Sequence, residues 1–352
     1  MKLLILPGDG IGPEITAATL AVLRAAGERF QLDLALTEED VGHASLQRHG
    51  TTVRDELLDA ARAADGLVLG PTSTYEFDPA RGEKNPSMFF RKALDLFANI
   101  RPSRTYPGVP GPVGDFDLVV VRENTEGFYA DRNMVSGGSE MQVTDDVVVS
   151  LRRITRPCCE RIARAAFALA QRRRRHVTLV HKANVLRLGC GMFLDECRKV
   201  AAEYPDVVVD DLIVDAMMAH AVRHPGRFDV IVTTNMFGDI LSDLTAELSG
   251  SLGLAGSLNA GSRYAMAQAS HGSAPDIAGR NVANPVSLVL SAGLLLGWLG
   301  QTRGLGHFTA AAASIEAAVA GCVAAGETTA DIGGRLGTDA VGAALARRIA
   351  AE

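Results

Sequence analysis

Short apolar runs recur along the chain at KLLILP, GLVLG, DLVVVR, HVTLVH and DVIVTT, and each predicts a buried β-strand. Between them lie stretches with apolar residues at helical spacing, PEITAATLAVLRAAGERF near the N-terminus and residues 158–170 further on. The alternation predicts an α/β fold with largely parallel strands. The longest uncharged segment, 281–302, carries Asn, Pro, Ser and Gly, which fits a buried helix, in the core or at a subunit interface, better than a membrane span. RPSRTYPGVPGPVGDF at 101–116 holds four prolines and predicts a loop. No linker divides the chain, so a second lobe is expected as an insertion into the first.

Composition narrows the picture. With 352 residues, 47% of them hydrophobic, the chain can fill a large core. A net charge of −6 gives no electrostatic reason to expect nucleic acid as a partner. RRRR at 172–175 is the local exception and reads as a solvated helix end, where cations suit the dipole. Five cysteines without a CxxC spacing point to a reducing, cytoplasmic compartment. LLIL before Pro7 is too short for a signal peptide and reads as a first strand.

Candidate chemistry follows the strands. GDGIGPE at 8–14 links a strand to a helix, but its G-x-G-x-G spacing fails the Rossmann fingerprint. Either a tight turn or backbone approach to a ligand would explain it. Arg91, Arg101 and Arg122 could each bind a carboxylate through two parallel hydrogen bonds, and Arg101 and Arg122 abut apolar runs where a cation needs a partner. Tyr129 and Lys182 are candidate proton-transfer groups. In NMFGDILSD, Asp239 and Asp243 stand four apart and share a helix face, and Asp215 offers a third carboxylate. Hard oxygen ligands without His or Cys favour Mg²⁺ or Mn²⁺; an ordinary helix with two solvated aspartates is the alternative. HGSAPDIAGRNVANP at 271–285 reads as a ligand-facing loop, where Asp276 could accept hydrogen bonds from an adenosine ribose.

Taken in order, GDGIGPE, DLFANIRP, VRENTEGFY, VHKANVL, FDVIVTTNMFGDILSD and HGSAPDIAGRNVANP resemble the β-decarboxylating dehydrogenases of isocitrate, homoisocitrate, 3-isopropylmalate and tartrate or D-malate. The resemblance implies an isocitrate/isopropylmalate dehydrogenase-like α/β fold, distinct from the Rossmann fold, with two lobes and a cleft between them. Residues 1–98 and 250–352 would form the larger, cofactor-binding lobe, and 99–249 the smaller lobe with the dimer interface and metal ligands. It further implies Arg91, Arg101 and Arg122 on the substrate carboxylates, Asp215, Asp239 and Asp243 on the cation, and Lys182 and Tyr129 as base and acid. Lys182 and Asp215 would enter the neighbouring subunit's site, so the partner of each chain is a second copy. His271, Gly272, Ser273, Ala274, Asp276 and Asn284 match the family's adenosine-binding positions, and Asp276 with Ile277 matches the pattern of NAD users.

Two departures stand out, the first bearing on the substrate, a small 2-hydroxy di- or tricarboxylic acid, and the second lying near the cofactor. KNPSMFFR replaces the Glu-Thr-Gly-Leu-Leu pattern usual before Arg91 in isopropylmalate enzymes. Ser87 falls near the position from which isocitrate enzymes bind the γ-carboxylate, while Met88 keeps an apolar option. MAQASHGSAP places Gln268 where relatives carry a glutamate. The expectation is an isocitrate-, homoisocitrate- or D-malate/tartrate-like substrate, with 3-isopropylmalate, or a non-catalytic regulatory subunit, as alternatives.

Overall fold

The computed structural model describes residues 1–129, 134 and 138–351. The chain begins with β1 (Lys2–Leu6), α1 (Gly12–Phe30), β2 (Ala35–Glu38), α2 (His43–His49), α3 (Glu56–Ala63), β3 (Gly66–Leu69) and α4 (Pro86–Ala93). Next come β4 (Ala98–Arg104), β5 (Asp117–Glu123), β6 (Glu140–Thr144), β7 (Val147–Ser150), α5 (Arg156–Ala170), β8 (His176–His181) and α6 (Arg187–Ala201). They are followed by β9 (Val208–Ile213), α7 (Val214–Arg223), β10 (Val230–Thr233) and α8 (Asn235–Leu248). The last third holds β11 (Leu258–Ala260), β12 (Ala265–Gln268), α9 (Val286–Arg303), α10 (Gly306–Ala324) and α11 (Thr338–Ala351). Two compact units result: Met1–Leu94 with Tyr106–Gly111 and Gly250–Glu352, and Asp95–Thr105 with Pro112–Ser249.

In the first unit, β1 lies between β2 and β3, all parallel; β12 runs parallel to β3, and β11 antiparallel to β12. Leu3, Leu4, Ile5 and Leu6 are all buried, as expected of a parallel strand covered on both faces. α1 starts with Pro13 and Glu14 in its first turn and ends at Gln31 in the left-handed conformation. Its buried stripe, Ile15, Ala18, Val22, Leu23 and Ala26, packs against α11. α9 buries apolar residues on every side, Leu288, Val289, Leu295, Leu296 and Leu299 among them. That accounts for the uncharged segment as a core helix of this unit.

In the second unit, β5, β10, β8 and β9 run parallel in that order, and β4 adds antiparallel to β5. Side chains alternate across the sheet. Val119 and Val121 of β5 join Phe167, Phe193, Val177 and Val232 in the core under α5 and α6. Leu118 and Val120 join Met217, Phe228 and Leu241 in the core under α7 and α8. Arg122, two residues beyond Val120, therefore faces α8.

Two expectations need correction. Residues 98–104 are strand, so the proline-rich loop begins later than 101. Pro102 is tolerated because it pairs with Val119, whose N–H donates to the Asp229 carbonyl and hence away from β4. RRRR is a solvated end only in part: Arg172, Arg174 and Arg175 are exposed past α5, whereas Arg173 is half-buried. Arg173 pairs with Asp117 and with buried Asp229, and Arg174 donates to the carbonyls of Asp117 and Phe228. The β6–β7 hairpin exposes Met141, Val143, Val147, Val148 and Val149.

Candidate active site

The second unit gathers the charged groups. On β4, Asn99, Arg101 and Ser103 share the face toward α8, where Ser103 Oγ lies 3.1 Å from Thr245 Oγ1. Arg101 NH1 donates to Asp243 Oδ1 at 2.6 Å and to Ser242 Oγ at 2.8 Å. On β5, Arg122 donates to Asn235 Oδ1 through Nε at 3.0 Å and NH2 at 2.7 Å, and through NH1 to Asp239. Gly238 makes room for this: a Cβ there would lie 2.7 Å from the Arg122 side chain. Tyr129 donates to Asp239 Oδ2 at 3.2 Å. Helical spacing thus sets Asn235, Asp239, Ser242 and Asp243 along one stripe facing the two arginines.

Lys182 and Asp215 pair with each other, Lys182 just past β8 and Asp215 in the first turn of α7. The Lys182 ammonium holds the Asp215 carboxyl below the usual carboxylate range. Among the described residues of this one chain, no three His, Cys, Asp or Glu side chains are placed to hold a metal ion together. Asp215 therefore stands apart from Asp239 and Asp243. The loop after β5 is buried as well: Glu123 accepts from the Thr125 and Glu126 N–H groups at 2.8 and 2.9 Å, and Glu126 accepts from the N–H and hydroxyl of Thr155 at 3.0 and 2.9 Å. Burial pushes both carboxyls above their ordinary range. Glu126 also fixes α8, because its carbonyl accepts from Asn235 Nδ2 at 2.9 Å.

The first unit handles its arginine differently. Ser87 and Arg91 lie one turn apart on α4, whose N-cap Asn85 accepts from the Met88 N–H. Ser87 Oγ donates to Gln268 Oε1 at 3.0 Å, and Arg91 NH2 donates to the same oxygen at 2.9 Å. Asn259 Nδ2 adds a third donor at 3.3 Å.

The same unit contains a cavity of about 250 Å³ lined by Ile11, His271, Gly272, Ala274, Asn284 and Asp331 among others. His271 Nδ1 lies 3.0 Å from the Gly272 carbonyl, while its buried Nε2 has no partner. Burial lowers the His271 pKa, leaving a neutral imidazole at pH 7. Asn284 Nδ2 donates to Asp331 Oδ2 at 2.9 Å. Ala274 adopts a left-handed conformation, φ 38°, which is strained for a residue with a Cβ and persists only where its surroundings fix it. The fixing comes from GDGIG: Ile11 N–H donates to the Ser273 carbonyl at 2.8 Å, and a Cβ on Gly10 would lie 1.9 Å from that oxygen. The motif is thus a tight turn that holds this loop.

Arg101, Arg122, Tyr129, Asp239 and Asp243 come together as the sequence suggests; Lys182 and Asp215 form their own pair. His271, Gly272, Ala274 and Asn284 line one cavity. Ser273 instead spends its hydroxyl on Ser73, at 2.9 Å, and Asp276 is exposed in the turn Pro275–Ile277. Sequence reasoning missed Asn235, Ser242 and Asp331. Asn235 and Ser242 could have been found, since both lie on the α8 face already singled out; Asp331 lies outside every motif.

Two units built on largely parallel sheets, one with buried arginines facing the acidic face of a single helix and the other with a cavity beside a rigid loop, are parts from which a dehydrogenase of hydroxy acids can be built. The chain belongs to the isocitrate/isopropylmalate dehydrogenase family, whose model matches residues 2–345. It is 42% identical over 352 residues to the 3-isopropylmalate dehydrogenase of Methanothermobacter thermautotrophicus, covering 99% of this chain and 98% of that one. It is 41% identical to the isocitrate/homoisocitrate dehydrogenase of Thermus thermophilus, covering 96% of each. The crystal structure of isocitrate dehydrogenase from Methylococcus capsulatus superposes with a TM-score of 0.88 at 39% identity, covering 99% of each chain. Several further relatives at about 40% identity carry the 3-isopropylmalate name. The protein is an oxidoreductase that acts on a CH–OH group with decarboxylation, and the family implies NAD and a divalent metal.

Proposed function

We propose that the chain oxidises and decarboxylates a (2R)-malate bearing an apolar 3-substituent, 3-isopropylmalate ahead of isocitrate, homoisocitrate, D-malate or tartrate. This reverses the order expected from KNPSMFFR, because the relatives favour the isopropylmalate reading. The reaction class rests on one observation: two buried arginines on adjacent strands face Asp239 and Asp243 on a single helix. Cations for the substrate carboxylates and hard oxygens for a cation therefore share one face.

In this reading Arg91, Arg101 and Arg122 bind carboxylates. Lys182 Nζ, in its neutral amine form, takes the proton of the C2 hydroxyl, and Tyr129 Oη protonates the carbon left after CO₂ departs. The carboxylate donors of Asp239, Asp243 and a neighbouring chain's Asp215 suit Mg²⁺ or Mn²⁺, which when bound would polarise the oxygen at C2 and stabilise the charge left by decarboxylation. NAD would accept the hydride. Its adenosine would sit in the cavity at His271 and Asn284, where a buried ring nitrogen lacks a partner, and Asp276 in the adjoining exposed turn would disfavour a 2′-phosphate. A homodimer fits the separation of the Lys182–Asp215 pair from Asp239 and Asp243, and the apolar surface of the β6–β7 hairpin.

The test is a panel of the five acids with Mn²⁺ and either NAD⁺ or NADP⁺. The expected result is NADH and CO₂ in equal amounts from 3-isopropylmalate, with kcat/KM about tenfold or more above the others. A higher kcat/KM for isocitrate or homoisocitrate would reverse the substrate order. No turnover of any acid by folded, metal-loaded protein would overturn the reading.

A further inference from the structure

We propose that Gln268 is a positioning residue that fixes the hydrogen-bond polarity of Ser87 and the direction of Arg91, and so selects an uncharged 3-substituent. The inference rests on the malate reading above and identifies the residue that enforces it. The Arg91 guanidinium has donors and no acceptor. The Gln268 atom 2.9 Å from Arg91 NH2 must therefore be the carbonyl oxygen, and the Asn259 Nδ2 donor at 3.3 Å agrees. That oxygen has no hydrogen to give, so Ser87, 3.0 Å away, must be the donor. A hydroxyl has one hydrogen.

With its hydrogen committed to Gln268, Ser87 can offer a substrate only lone pairs. Lone pairs repel a γ-carboxylate and are indifferent to an alkyl group. The position from which a serine hydroxyl would hold an isocitrate-type carboxylate is here an acceptor. Ser87 is buried, 7% exposed, which keeps water from readily taking over the Gln268 bond. Gln268 also steers Arg91 by a carbonyl dipole and adds no negative charge to compete with the substrate's own carboxylate.

The experiment compares kcat/KM for 3-isopropylmalate and isocitrate in the full-length parent, Ser87→Ala, Gln268→Leu and the double variant. In Ser87→Ala the ratio of the two should move less than about threefold, since no donor to substrate is lost. Gln268→Leu frees the hydroxyl and should shift the ratio toward isocitrate by about tenfold, and the double variant should lose that gain. Gln268→Glu keeps the acceptor and should not move the ratio toward isocitrate. A loss of about tenfold on isocitrate alone in Ser87→Ala would overturn the proposal, because Ser87 would then be donating to the γ-carboxylate. Urea midpoints give a readout independent of turnover: Ser87→Ala and Gln268→Leu should be non-additive because they share one bond. Additive midpoints would also overturn the proposal, whereas absence of turnover in the parent would overturn the substrate reading instead.

Discussion

In the proposed reading two arginines of the second unit and one of the first bind carboxylates, and the partners that meet them differ in kind. Arg122, 2% exposed, meets the carboxylate of Asp239 and the amide of Asn235, and Arg101 meets Asp243. Arg91 is steered by the neutral carbonyl of Gln268. A buried guanidinium needs an opposite charge to offset its lost hydration, whereas a half-buried one can be aimed by a dipole. Carboxylates therefore help secure the buried arginines of the second unit, and a neutral carbonyl takes part in aiming Arg91.

The largest expected effect tests whether proton transfer belongs to the second unit. Lys182→Ala should lower kcat by about 10²–10⁴-fold, and so should Tyr129→Phe. Mixed dimers of the two variants should regain partial activity, measured after verified subunit exchange; no regain would argue against a site shared between chains. Next, Arg122→Ala should cost on the order of 3 kcal/mol in urea unfolding, because it removes the cation beside Asp239 and the donors to Asn235 Oδ1. Arg91→Ala should cost only about 1 kcal/mol while raising the KM of the acid; equal costs would erase the contrast drawn here. A smaller effect should follow His271→Ala, with NAD binding weakened about fivefold by calorimetry and the KM of the acid little changed.

The smallest effect is one of pH. The folded pKa of Glu126 lies above its unfolded value through burial, so between the two values the folded state holds more protons. Its stability contribution is full below the unfolded value and declines as pH rises through the folded one. Glu126→Gln should therefore flatten the fall of stability with pH inside that window, in urea melts run upward from pH 4.5. An unchanged slope would mean that the carboxyl is not held neutral by burial.

Much of this was legible in the sequence because strand and helix periods announce themselves. β1, β3, β5, β8 and β10 follow directly from the apolar runs. β4 was not legible, since whether Pro102 sits in a strand depends on where the Val119 N–H of a neighbour points. The charged residues were legible as types and as a helix face, but their partners were not. Nothing in RRRR announces Asp117 and Asp229 as the acceptors for Arg173, and nothing near Gln268 announces that three donors meet on one oxygen. Asp331 escaped because a lone acidic residue in a loop has no pattern.

The interleaving of the units has a kinetic consequence. The second unit is drawn from residues 95–249 apart from a short excursion, so all its strands have emerged well before the chain is complete. The first unit cannot close until β12 has found β3 and α11 has found α1, which join opposite ends of the polypeptide. Closing so long a loop is slow and entropically costly. The segment bearing Lys182, Asp239 and Asp243 should gain amide protection early in refolding, and the loop at His271 should be the last to order.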